Sequence, residues 1–234
     1  MEGACQAPSI FSIRLLRLEF SYNCLNLMQT VQTTVGASKA QFTYGSDGRK
    51  LSEKAKTGGF EYLGSLIYAY RGGTLSLAQA VTDEGTIQSA GVNYFIRDHL
   101  GSVRAVVDHT GKIVERNDYY PFGGRHENSA LSLLATNRYK FGGKETLEPV
   151  SLDMLDFGAR FYDPRIARWN TQDPLAEKNN TQSPYAFCNN NPINVIDPDG
   201  KDGIYVTFPQ YRADGYPFTG HAGVLLIDNK SGYT

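Results

Sequence analysis

From residue 41 onward, short runs of aromatic and β-branched residues are broken by Asp-Gly or Gly-containing pairs. Gln41-Phe42-Thr43-Tyr44 meets Gly45-Ser46-Asp47-Gly48. The run from Phe60 to Tyr70 ends at Gly72-Gly73, and Leu75 to Thr82 closes at Asp83-Glu84-Gly85. Val103 to Val107 passes through Asp108-His109-Thr110-Gly111 and returns along Lys112 to Glu115. Asp-Gly is a strong local signal for a hairpin, because glycine reaches positive φ without steric cost. The pattern predicts a mainly β chain of strands joined by tight turns. The unit recurs at a spacing of roughly 25–35 residues, which points to a repeat architecture in which each unit buries its face against a neighbour.

Composition agrees where it bears on function. There are 15 Tyr and 12 Phe against one Trp, and 24 Gly. Aromatic rings suit a pleated, half-buried surface. The net charge of −1 gives no field that would draw nucleic acid or an anionic membrane. Tyr119, Tyr120 and Tyr162 therefore read as sheet-packing aromatics rather than a base-stacking platform. No apolar run approaches the ~20 residues of a membrane span. Ile10 to Leu18 is interrupted by Arg14 and Arg17 and reads poorly as a leader, so no export signal is visible. Cys5, Cys24 and Cys188 form no CxxC pair and are expected as free thiols. His99, His109 and His126 lack ligand spacing, so neither a metal nor a cofactor is expected.

Between 121 and 137 the strand pattern lapses, and residues 130–135 allow one helical turn. From Tyr139 to Gly200 the chain is dense in Asp-Pro, Gly and Asn, with short aromatic islands; compact, turn-rich packing with little helix is predicted. Beyond it, Tyr205-Val206-Thr207-Phe208 is a short strand. Gly220-His221-Ala222-Gly223 feeds an apolar strand ending at Asp228.

The middle of the chain carries a family resemblance. Asp98-His99-Leu100-Gly101-Ser102-Val103-Arg104, Tyr119-Tyr120-Pro121-Phe122-Gly123 and Lys140-Phe141-Gly142-Gly143-Lys144-Glu145 are followed by Gly158-Ala159-Arg160-Phe161-Tyr162-Asp163-Pro164. Arg168-Trp169 through Asp173-Pro174-Leu175, then Asn190-Asn191-Pro192-Ile193-Asn194, and Asp197-Pro198-Asp199-Gly200 complete the series. In this order they resemble the core domain associated with RHS/YD repeats, and Tyr44…Asp47-Gly48 resembles one YD repeat. The resemblance implies a curled antiparallel sheet forming part of a shell, with a turn-rich core or plug. Its implied divisions are an unassigned segment 1–39, a partial YD-repeat sheet 40–97, the core 98–200, and a variable α/β or α+β C-terminal tip starting at 201. The tip is expected to be truncated here, and residue 1 is expected to fall inside a longer parent.

The resemblance also implies a role: a shell that encapsulates and presents a C-terminal toxin in competition between bacteria. The parent would be secreted or on the cell surface. Its partners would be its own upstream repeats, the toxin domain, secretion machinery and a cognate immunity protein. Some members cut themselves after the Asp-Pro-x-Gly boundary with two aspartates, which here correspond to Asp173 and Asp197. Such chemistry needs carboxylates whose environments separate acid from base. Arg168 or Arg160 would orient one of them. The boundary would be Gly200 and Lys201, although Leu is usual at the second position. Asp before Pro also caps turns with no chemistry at all. In the tip, His221 would be a general base of a papain-like or amidase-like hydrolase.

Overall fold

The computed structural model describes residues 18–33, 38–56, 58–126, 131–132, 137–147, 153–178, 181–201 and 203–206. Twelve strands form one open antiparallel sheet in chain order. They are β1 (Leu18–Tyr22), β2 (Met28–Thr33), β3 (Ser38–Tyr44), β4 (Lys50–Ala55), β5 (Gly58–Leu63) and β6 (Leu66–Arg71), then β7 (Thr74–Thr82), β8 (Gly85–Gln88), β9 (Gly91–Arg97), β10 (Val103–Asp108), β11 (Ile113–Arg116) and β12 (Leu131–Ser132). Each pairs with the next, so among the described residues β1 and β12 end the sheet. A second sheet joins β13 (Glu145–Thr146), β14 (Leu155–Asp156), β15 (Phe161–Asp163) and β16 (Arg168–Trp169), and β17 (Val195–Ile196) pairs with β18 (Ile204–Tyr205).

One turn geometry is used repeatedly. At Asp98, the backbone N–H donates to the Ser102 carbonyl, and the Gly101 N–H returns to the Asp98 carbonyl. The Asp98 carboxylate accepts from the N–H groups of Leu100 and Ser102, and Gly101 sits at φ +81°. The same reciprocal pair closes Gly45–Arg49, Asp108–Lys112 and Asn23–Leu27 in the sheet, and Tyr120–Gly124 and Lys140–Lys144 after it. This is a tight turn closed by a left-handed residue and a bulge, which suits the twist of the flanking strands. The Asp98–Gly101 signature and the Asp108–Gly111 loop are therefore the same device.

The sheet has one covered and one bare face. Cross-strand pairing runs Phe42–Glu53–Phe60–Ala69 on the covered face. Phe95–Val106–Glu115 continues that face further along. Leu63, Leu75, Leu77, Ile87, Tyr94 and Ile96 are exposed.

Two details differ from the sequence-based expectation. Residues 131–132 lie in a strand rather than a helical turn, because their backbone finds partners in Glu115 and Arg116 of β11. Residues 18–33, within the unassigned segment 1–39, form β1 and β2 of the same sheet. Expectations about residues 1–17 and 207–234 lie outside the described residues.

The described residues between 137 and 206 pack over the covered face. Leu147, Met154 and Phe161 join Met28, Val31, Ala40 and Phe42 in one apolar cluster. A second cluster lies within the segment itself and centres on Tyr162, which is fully buried among Phe141, Phe157, Trp169 and Phe187. Its hydroxyl donates to the Phe122 carbonyl at 2.8 Å, so the ring is buried without an orphaned donor. Removing such a ring costs about 3–5 kcal/mol.

A buried polar seam joins the segment to the sheet. Lys50 reaches Asp156 at 2.6 Å and Glu145 at 2.9 Å. Arg138 reaches Glu53 at 2.8 Å and Glu145 at 3.1 Å, and the Tyr62 hydroxyl donates to both glutamates. These contacts fix which strands of the sheet the segment lies on, since each charge is costly to bury away from its partner.

Candidate functional site

Arg160 stands at the start of β15, after a turn in which the Phe157 N–H donates to the Arg160 carbonyl. Gly158 makes that turn at φ +95°, and the Asp156 carboxylate accepts its N–H. The guanidinium lies over the Trp169 ring, 4.2 Å from its centroid, which satisfies one face of the cation. Arg160 Nη1 lies 3.4 Å from the Pro184 carbonyl, and most of the arginine's remaining contacts are to the boundary predicted from sequence. Its Nε donates to the Gly200 carbonyl at 2.6 Å, and one terminal nitrogen lies 3.3 Å from the Lys201 carbonyl. That same nitrogen is 3.3 Å from Asp173 Oδ2 and 3.5 Å from Asp197 Oδ2.

The two aspartates therefore meet on a single guanidinium, in unlike settings. Asp197 is buried, and its Oδ1 accepts from the backbone N–H of Gly200 at 2.7 Å, of Lys201 at 3.1 Å and of Asp199 at 3.3 Å. Burial pushes its carboxyl up to about 6, although the Gly200 N–H and Arg160 pull the other way. Asp173 is partly open to solvent, and its Oδ1 accepts from the Leu175 N–H at 2.8 Å. Burial also lowers Arg160 from the usual guanidinium range, against the pull of Asp173 and Asp197.

Gly200 is required here on steric grounds. It adopts φ +78°, and a Cβ would lie 3.0 Å from the Arg160 nitrogen and 3.2 Å from Phe157 Cβ. Ala159 donates to the Asp199 carbonyl at 3.0 Å, and Lys144 Nζ donates to the Pro198 carbonyl at 2.5 Å. The boundary turn is thus held from three sides. A cavity of about 240 Å³ opens beside it, lined by Phe141, Phe157, Phe187, His99, Lys144 and Asp197.

Asp173, Asp197, Gly200 and Lys201 are brought together. Of the two arginines the sequence offered, Arg160 is the one in contact with both aspartates. Arg168 lies at the surface, with one nitrogen 3.4 Å from Asn190 Oδ1. His99 approaches the Ile193 carbonyl at 3.3 Å. His221 lies outside the described residues. Sequence reasoning missed Lys144; its signal was its place in the Lys140–Glu145 motif. Among the described residues, no group of three His, Cys, Asp or Glu is placed to hold a metal, and Cys24 and Cys188 are free. No helix among them is long and apolar enough to cross a membrane.

Comparison with known proteins gives the segment its relatives. Residues 85–193 match the family model described as Teneurin YD-shell. Toxin subunit YenC1 of Yersinia entomophaga is 31% identical over 124 residues, which is 52% of this chain and 12% of that protein. The tRNA nuclease WapA of Bacillus subtilis (strain 168) is 31% identical over 120 residues, 50% of this chain and 5% of that protein. Salivary gland surface protein 1 of Aedes aegypti is 36% identical over 107 residues, 46% of this chain and 3% of that protein. Among solved structures, a TcdB2–TccC3–Cdc42 structure superposes with a TM-score of 0.66 at 20% identity, over 79% of this chain and 10% of that one. The Photorhabdus luminescens Tc holotoxin pore gives 0.64 at 20% identity, over 78% of this chain and 10% of that one. These superpositions show the fold: a curled, open YD-shell sheet. The chain spans between 3% and 12% of the length of the curated relatives named here.

Proposed function

We propose, from the premise that this chain is an RHS/YD shell-type protein related to the Tc and WapA toxins, that it forms the shell end which holds and presents a C-terminal effector segment. The supporting observation is the Arg160 clamp. It grips the two carbonyls at 200 and 201 while Asp197 takes their N–H groups, so the chain leaves the core at a fixed point. The parent would be secreted, with export machinery and a cognate immunity protein as partners. Hydrogen exchange on the full chain tests the anchoring. Slow exchange is expected at the Gly200 and Lys201 amides, with loss of that protection in Asp197→Ala. Fast exchange at both amides in the unaltered chain would sink the proposal.

The same geometry favours a second reading, self-cleavage between Gly200 and Lys201. Asp173, the partly exposed carboxylate, would take a proton from an attacking water. Arg160 Nε already donates to the Gly200 carbonyl oxygen, where charge would develop. Asp197, whose carboxyl is raised to about 6, lies 3.1 Å from the Lys201 nitrogen and would give the leaving amine its proton. As the Gly200–Lys201 C–N bond breaks, Gly200 would gain the hydroxyl of the water and the Lys201 amine one proton from Asp197, which the proton taken by Asp173 replaces. A denaturing gel at neutral pH decides this: separation of residues 201–234 is expected, and Asp173→Asn abolishes it. Persistence of the intact chain on prolonged incubation at mildly acidic pH would end this reading.

A further inference from the structure

A second buried cluster sits under the sheet, away from Arg160, and none of the roles above uses it. Glu115 of β11 is fully buried on the covered face, beside Phe95, Val103, Val106 and Val114. Its Oε1 accepts from Lys140 Nζ at 2.5 Å and from Asn117 Nδ2 at 2.5 Å. Asn137 Nδ2 lies 3.1 Å from the same oxygen and 3.2 Å from Oε2. Lys140, Asn117 and Asn137 are all buried. An amine, a side-chain amide and a carboxylate thus converge in an apolar pocket that excludes water.

We propose that Lys140 and Asn117 join in an intramolecular isopeptide bond, with Glu115 as the proton-transfer group. Glu115 takes a proton from the Lys140 ammonium. The neutral amine adds to Asn117 Cγ, forming the new C–N bond. A proton of the added amine passes through Glu115 to Nδ2, the Cγ–Nδ2 bond breaks, and ammonia leaves. Glu115 keeps the proton first taken from the ammonium. Atoms and charge balance without any oxidant, metal or co-reactant.

Three observations favour this chemistry over a static ion pair. Amine and amide both touch one carboxylate oxygen, so each is held close to the other, the arrangement that replaces a bimolecular encounter. The apolar surroundings favour a neutral, nucleophilic lysine once its proton has moved to Glu115. Asn117 Oδ1 is buried with no hydrogen-bond partner, a costly state. In the product, protonated Glu115 is a donor for that carbonyl, and a buried ion pair has become two neutral groups. Asn137 is the less suited amide: its own Oδ1 already accepts from the Tyr139 N–H at 3.1 Å. The bond would tie the end of β11 to the chain just before the turn at Phe141–Gly143, linking sheet to core covalently.

The intact mass of the full chain, purified under denaturing conditions after folding, tests this. The expected mass is lower than the sequence mass by one ammonia. Lys140→Arg and Glu115→Gln each restore the full mass, and digestion of the unaltered protein yields a branched peptide joining Lys140 to Asn117. Residues 115–140 lie before Gly200, so the measurement reads equally well on a chain cut there. A succinimide at an asparagine gives the same mass change but no branched peptide, and that outcome overturns the proposal. So does full mass in aged, folded protein, whether or not the variants fold.

Discussion

Arg138 and Arg160 are both buried, both stack on an aromatic ring and both meet two carboxylates. Arg138 lies 4.0 Å over Phe60 with Glu53 and Glu145, and Arg160 lies 4.2 Å over Trp169 with Asp173 and Asp197. Their electrostatics run in opposite directions. In the Arg138 seam burial pushes Glu145 up, but Lys50 and Arg138 outweigh it and hold the carboxyl below its usual range. In the Arg160 site burial wins, raising Asp197 to about 6 and lowering the arginine. The difference lies in the second cation. Lys50 reaches Glu145 and Asp156 directly, whereas at the Asp197 turn Lys144 donates to the Pro198 carbonyl and Lys201 pairs with Asp199. A seam whose cations hold its carboxyl below the usual range is a fastener. A seam that raises a carboxyl toward neutral pH is where a transferable proton is available.

The contrast can be broken in order of effect. Arg138→Met removes a cation from among buried glutamates and should cost about 3–5 kcal/mol in denaturant unfolding, enough to undock the core. Arg160→Met should cost less, because Asp173 is partly solvated, yet should slow any cleavage by roughly 10²–10³-fold through loss of the carbonyl donor. If the two variants prove equally destabilising, the distinction between fastener and reactive site fails.

The pH responses should also diverge. Glu145, held low in the folded chain, contributes stability that is present above the unfolded value of about 4.3 and is lost as pH falls through its folded value. Unfolding midpoints across an acid series, with and without Glu145→Gln, measure that loss. Asp197 has the opposite sign. Its contribution is present below the unfolded value near 3.9 and is lost as pH rises through about 6. Cleavage that needs its proton should therefore be faster at pH 5 than at pH 8. A rate that rises with pH would remove Asp197 from the acid role.

The smallest effect concerns the turns. Gly111 sits at φ +87° with open space around it, so Gly111→Ala should cost only the left-handed backbone penalty, about 1–2 kcal/mol. Thermal unfolding of that variant measures it. A larger loss would mean that the loop does more than close a hairpin.

These turns are also where the sequence was most legible. Asp47-Gly48 and Asp108 to Gly111 marked hairpins because the residue types themselves demand the geometry, and β3, β7, β10 and β11 fell where the aromatic and β-branched runs stood. Phe60 to Tyr70 read as one run, but Gly64 at φ +62° folds it into β5 and β6. The core was harder. Its strands are two or three residues long, too short for alternation to show which side chain faces inward. That is why Arg160 and Arg168 were indistinguishable, although one is buried and the other exposed. Asp173 and Asp197 were named through resemblance alone, and only the fold brings them to one guanidinium. The seam at Lys50, Glu53 and Glu145 was invisible because its members are up to 95 residues apart.

The meander has a mechanical consequence. Among the described residues each strand of the large sheet is bonded to its sequence neighbours, so a pull on one end loads one ladder at a time, as in opening a zip. β1 resists through its ladder with β2, through the contact of Tyr22 with Asn170 at 3.4 Å and through the packing of Leu18 and Tyr22 on the apolar cluster. At β4 buried ion pairs join the apolar contacts that β2 and β3 already make, because Lys50 and Glu53 hold Glu145, Asp156 and Arg138. The sheet should yield in small steps up to that strand and then hold, so that tension applied at β1 is absorbed before it disturbs the grip on Gly200.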